Sequence, residues 1–127
     1  MPTDLFHGAH TDLAIHEGQC WTEDYEAADR YAQSEGPVAH AEIDLSGLTV
    51  EECEGYNHDE NDAPADSAEF RAAATARGVD VLVYADCDEQ GQEHTCYRIV
   101  SDRAVEAFRA AHAMLERDEY GDIIAPW

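Results

Sequence analysis

The spacing of apolar and polar positions changes several times along the chain, and each change marks an element. Leu5-Phe6-His7-Gly8 reads as a short first strand ending at a glycine turn, and Gln19 to Trp21 as a second. Between them, His10 to Glu17 is irregular and polar. Thr22 stands where a helix N-cap is expected, followed by negative charge at Glu23, Asp24 and Glu26, which the helix dipole favours in a first turn. Ala27, Ala28, Tyr31 and Ala32 form a helical stripe, and Gly36-Pro37 stops it. Val38 to Leu45 alternates as a half-buried strand does, closed by Ser46-Gly47. Residues 51–63 read as an acidic, turn-rich loop. Pro64 suits the start of a helix reaching Arg77, with Gly78 just past its end. Val79 to Ala85 is apolar and β-branched, which predicts the central buried strand. Asp88-Glu89-Gln90-Gly91 is a turn, and His94 to Val100 returns as the other arm of a hairpin. Asp102 is placed to cap a last helix whose apolar face carries Val105, Phe108, Ala111, His112 and Leu115. The tail from Asp118 to Trp127 predicts only loose docking. The order of elements is that of an α+β fold in a single domain over residues 1–127, with its core at about 3–117.

Charge changes this picture more than length does. The formal net charge is −22, from 29 Asp and Glu against 7 Arg, with no Lys. Such a surface either keeps a protein solvated in high salt or docks a basic partner, such as a nucleic-acid-binding protein. It disfavours direct nucleic-acid binding, which needs basic side chains against phosphates. No basic stretch followed by an apolar run lies near Met1, so no secretory signal is expected. The longest apolar run, Val79 to Ala85, is far short of the roughly 20 residues that span a bilayer, so no membrane association is expected. Four cysteines (Cys20, Cys53, Cys87, Cys96) form no C-x-x-C pair, and the expectation is reduced thiols in the cytoplasm. His7, His10, His16 and Cys20, or Cys87, His94 and Cys96, have no spacing typical of a zinc knuckle, and no metal is expected.

Several short segments occur in an order that resembles the histidine-type ADP-ribosyltransferases, including rifamycin-modifying and phage anti-CRISPR transferases. Leu5-Phe6-His7-Gly8 is similar to that family's opening strand, although Ala9 stands where a hydroxyl residue is usual. Gly18, Thr22, Asp24, Tyr25 and Tyr31 resemble its turn and first helix. Asp44-Leu45-Ser46-Gly47 resembles the turn after the next strand, and Gly78-Val79-Asp80-Val81 the entry to a later one. The resemblance covers roughly residues 3 to 101. It implies a compact split sheet with flanking helices and NAD+ as co-substrate. The implied activity is mono-ADP-ribosyl transfer to a protein acceptor, and the anti-CRISPR likeness implies a phage effector acting in host cytoplasm.

Cleavage of the nicotinamide–ribose bond passes through an oxocarbenium-like cation, which calls for a carboxylate at the reacting carbon. It also calls for a donor that fixes the adenosine-side ribose and an aromatic face against the nicotinamide ring. The resemblance assigns His7 to the ribose, Gly8 to backbone contacts with the nicotinamide amide, Thr22 to the cofactor site, and Tyr25 or Tyr31 to the ring. For the carboxylate, Asp86, Asp88, Glu89 and Glu93 all lie around the hairpin turn. Alignment on the turn favours Asp88, and alignment on the start of the final strand favours Glu93. Arg98 or Arg71 would have to meet the pyrophosphate. Beside this stand a non-enzymatic acidic inhibitor that mimics nucleic acid in a basic groove, and a transferase acting on a small molecule.

Overall fold

The computed structural model describes residues 2–9, 13–33, 36–88 and 91–124. The fold is mixed α+β: a seven-stranded sheet in the order β4-β5-β6-β2-β1-β3-β7. The strands are β1 (Thr3–Gly8), β2 (Cys20–Thr22), β3 (Val38–Ile43), β4 (Val50–Glu52), β5 (Val81–Cys87), β6 (Glu93–Ile99) and β7 (His112–Met114). The helices are α1 (Tyr25–Tyr31), α2 (Ala68–Ala76) and α3 (Asp102–Ala111). Only β4 and β5 pair in parallel, with α2 in the crossover between them; every other pairing in this sheet is antiparallel. Among the described residues no helix is long and apolar enough to cross a membrane.

Period-2 alternation sends successive side chains to opposite faces. On one face Leu5, Trp21, Val81 and Ile99 meet Ala104, Val105 and Phe108 of α3. On the other, Leu82, Tyr84 and Cys96 meet Ala74 of α2, and Phe6 and Val38 meet Ala28 of α1 and Ala32 at its C-cap. The sheet is thus the middle of three layers. Gly8 is required for this: a Cβ there would lie 1.9 Å from the Ala28 carbonyl oxygen, so α1 rests directly on the end of β1.

Several boundaries differ from the sequence reading. Asp24, not Thr22, caps α1, accepting from Glu26 N at 2.9 Å, while Thr22 Oγ1 accepts from Asp24 N one step earlier. Pro64 opens a single 3-10 turn, and α2 begins only after Ser67, whose hydroxyl accepts from Phe70 N. Gly78 does take the left-handed conformation past the helix end, with φ +90°. Ser101 caps α3, and His112 leaves the helix for β7. β5 lies second from the sheet edge, and β2 holds the middle position. Before the tail, Arg117 of β8 (Glu116–Arg117) reaches Asp29 at 2.7 Å and the Gly36 carbonyl at 2.9 Å; within it, β9 (Ile123–Ile124) pairs back on β8 and Ile123 packs against the core, while Tyr120 and Ile124 stay exposed. The expectation of four reduced cysteines fails at one pair: Cys20 on β2 and Cys96 on β6 form a disulfide across 76 residues. Neither spacing nor composition reveals that these strands are lateral neighbours.

Candidate functional site

The sheet changes character between β1 and β2. β1 pairs along its whole length with β3, but with β2 only at Phe6↔Thr22. An antiparallel ladder would next bring Gly8 opposite Cys20. Instead the strands part, and the His7 ring fills the opening, its Nδ1 2.7 Å from the Cys20 carbonyl. Because a carbonyl only accepts, Nδ1 carries the proton and Nε2 is the acceptor nitrogen of the neutral ring. Burial is the main cause that lowers the His7 pKa, so the neutral form prevails at physiological pH.

At this parting, beneath α1, lies a cavity of about 220 Å³. Phe6, His7 and Gly8 of β1, Cys20 and Thr22 of β2, and Ala28 and Tyr31 of α1 line one side; Asp86 of β5 with His94 and Arg98 of β6 line the other. Asp86 and His94 are register partners on neighbouring strands. Tyr31 Oη lies 2.9 Å from His94 Nε2. Burial first, then the carboxylates of Asp86 and Asp88, push the Tyr31 hydroxyl well above its ordinary range, so it stays protonated. His94 is only 9 % exposed, and its Nδ1 has no hydrogen-bond partner among the described residues. A buried polar atom in that state costs about 1–3 kcal/mol until something pairs with it. Arg98 is held by the Gly18 carbonyl at 2.7 Å, Asp66 at 2.6 Å and Tyr84 Oη at 2.9 Å.

Of the residues singled out in the sequence, the cavity brings together His7, Gly8, Thr22 and Tyr31. Tyr25 lies apart: it is partly exposed and packs edge-on against Phe6, with ring centroids 6.2 Å apart. Asp88 does not face the cavity. Its side chain is buried and organises the β5–β6 turn, accepting from Gln92 N at 2.9 Å and from Arg30 Nε at 2.6 Å. Glu93 is exposed, and β6 alternation explains why: His94, Cys96 and Arg98 point to the cavity face, so Glu93 points away. Glu89 and His10 lie outside the described residues.

Among the described residues, the carboxylate that lines the cavity is Asp86. Burial raises its pKa, while a 2.8 Å bond from Cys87 N and the nearby His94 and Arg98 act the other way. Asp86 also borders a second, wider groove of about 620 Å³, together with Tyr56, His58, Asp66, Cys87 and Asp88. Thus it stands where a small, partly open cavity meets a wider surface groove. No protein-family model, curated protein or solved structure matches the chain.

Proposed function

We propose that the chain is an NAD+-dependent mono-ADP-ribosyltransferase acting on a protein in the cytoplasm, with the cavity under α1 as its nicotinamide–ribose site. One observation carries the reading: residues from β1, β2 and α1 that the family resemblance assigns to NAD+ surround one cavity that also holds a half-buried carboxylate. The single register pair between β1 and β2 supports the split-sheet form of the fold. When bound, NAD+ supplies an ADP-ribosyl group whose bond to nicotinamide breaks with positive charge developing on the ribose carbon. Asp86 faces that charge and accepts from a ribose hydroxyl. His7 Nε2 accepts from the second ribose. Tyr31 flanks the nicotinamide ring, and His94 Nδ1 gains the partner it lacks. A volume of about 220 Å³ is below the roughly 300–1,000 Å³ of common small-molecule sites, so only the nicotinamide end would be enclosed. The acceptor would approach Asp86 from the wider groove.

The test pairs binding with transfer. NAD+ at a hundredfold excess over Kd should stabilise the fold by about 2.7 kcal/mol, read as a rise in Tm. Labelled NAD+ in a cell lysate should mark a discrete band, lost with His7→Ala and Asp86→Asn. No Tm shift at millimolar NAD+, with no labelled band, would overturn the proposal. The acidic-mimic reading has one observation in its favour: all seven arginines are engaged in ion pairs with the chain's own carboxylates. Capture of a basic partner that survives His7→Ala and Asp86→Asn and falls steeply with salt would favour that reading instead.

A further inference from the structure

The cavity floor carries a second kind of chemistry. Cys20 Sγ, Cys96 Sγ and an Asp86 carboxylate oxygen all lie within 4.8 Å of one another. They come from three neighbouring strands, β2, β6 and β5, so the arrangement is held by the ladder rather than by a loop. His94 precedes Cys96 by two residues on the same face and stands opposite Asp86. It offers a buried Nδ1 without a hydrogen-bond partner among the described residues. Two thiols, a carboxylate and an imidazole are the donor set of a soft-to-borderline divalent ion.

We propose that Cys20, Cys96, Asp86 and His94 form a Zn2+ site when the Cys20–Cys96 disulfide is reduced. Two equivalents of a thiol reductant open the S–S bond, giving two protein thiols and the oxidised reductant disulfide. Zn2+ then binds both sulfurs as thiolates and displaces two protons. A tetrahedral zinc places its ligands roughly 3.5–3.8 Å apart, so Asp86 needs to close on the sulfurs by about 1 Å at most, with the two sulfurs moving apart from their bonded distance, while His94, which lies outside that group of three, has to swing in as the fourth ligand. His94 joins in the tautomer whose Nε2 proton is donated to the Tyr31 hydroxyl oxygen, which leaves the Nδ1 lone pair for the metal. The oxidised chain has no thiolates at this place and binds no zinc there. Metal binding takes Asp86 out of the cavity, so the site would respond both to the thiol poise and to zinc. This inference does not rest on the transferase reading.

Direct binding tests it, with no reference to activity. The full chain is reduced with a phosphine, freed of metal, and treated with a thiol-alkylating maleimide with and without Zn2+. Peptide mass spectrometry follows each cysteine. Zinc should slow alkylation of Cys20 and Cys96 at least about tenfold and leave Cys53 and Cys87, which are free thiols in this fold, unchanged. Co2+ in place of zinc should give thiolate-to-metal charge-transfer bands in the reduced chain and none in the oxidised one. Asp86→Asn should weaken Zn2+ affinity at least about tenfold, the scale of losing a group that supports a metal site. Unchanged alkylation of Cys20 and Cys96 with zinc, together with no charge-transfer band from the reduced wild-type chain, would overturn the proposal whether or not any variant folds. Full zinc affinity in Asp86→Asn would overturn the assigned ligand set.

Discussion

Two carboxylates two residues apart should behave oppositely when neutralised. Asp88 accepts from Arg30 at 2.6 Å and from Gln92 N at 2.9 Å with its side chain 3 % exposed. A hydrogen bond to a charged group contributes about 1.5–3 kcal/mol, and an unpaired buried partner adds to the loss. Arg30 keeps 24 % of its side chain in water and is partly rehydrated, so Asp88→Ala should lower stability by about 2 kcal/mol. With roughly 2.1 cal/mol/K per residue of unfolding entropy, a chain of this length loses about 7–8 °C in Tm. Asp86 is the reverse case. Burial penalises its charged form, and Asn keeps the oxygen that accepts from Cys87 N, so Asp86→Asn should leave Tm unchanged or higher at pH 7. On the proposed function, the same substitution should cut NAD+ turnover by roughly a hundredfold or more, whereas Asp88→Ala should retain turnover well below its Tm. Scanning calorimetry with a nicotinamide-release assay reads both. Loss of turnover in folded Asp88→Ala, with full turnover in Asp86→Asn, would refute the assignment of the carboxylate.

Two further predictions concern stability. Burial alone would raise the Asp80 pKa, but hydrogen bonds from Arg103, Ser101 and Thr49 N outweigh it and bring it down to about 2. A depressed carboxylate pKa stabilises the fold above its unfolded value near 4 and loses that contribution as pH falls toward 2, here about 2 kcal/mol. Denaturant melts of wild type and Asp80→Asn should therefore differ at pH 6 and converge by about pH 2; a gap that stays constant over that range would contradict the network. Separately, Tm should rise as salt increases from very low values, because screening relieves repulsion among the carboxylates left over at a net charge of −22. A steady fall of Tm over the same range would mean that the ion pairs outweigh the repulsion.

What was legible in the sequence was mainly periodic. The apolar run at 79–85, the alternation at 38–45 and the hairpin around Asp88 correspond to β5, β3 and the β5–β6 pair. The end of β5 was missed because the apolar signal stops at Ala85 while the strand continues to Cys87. Extending the same period by one step would have put Asp86 with Leu82 and Tyr84 on one face, and the same test on β6 would have set Glu93 apart from His94. The turn makes Asp88 a candidate, yet besides the local Gln92 N its carboxylate is held by Arg30, 58 positions away. The Cys20–Cys96 pairing depends on strand order, which local pattern does not encode. Capping was misplaced by one or two residues at α1 and α3 because Thr22, Asp24, Ser101 and Asp102 are all competent caps, and only backbone geometry chooses among them.

The arginines explain how so acidic a chain holds a shaped cavity. Each of the seven pairs with a carboxylate, and three of these pairs hold the cavity's surroundings: Arg30 with Asp88 ties α1 to the β5–β6 turn, Arg98 with Asp66 ties β6 to the turn before α2, and Arg117 with Asp29 ties the tail to α1. All three join segments far apart in sequence and close the fold around β1, β2 and β6, while Arg77, Arg103 and Arg109 make their pairs at the surface. The surplus of carboxylates then faces solvent. For an anionic ligand this has a definite consequence. On the proposed function, a pyrophosphate would gain attraction from Arg98, the basic residue among the described residues lining the cavity, while the surrounding field would repel it, and that repulsion weakens as salt rises. On that function, NAD+ affinity measured by titration should rise with ionic strength, opposite in sign to the salt response of a basic nucleotide-binding cleft, and a steady fall would contradict it.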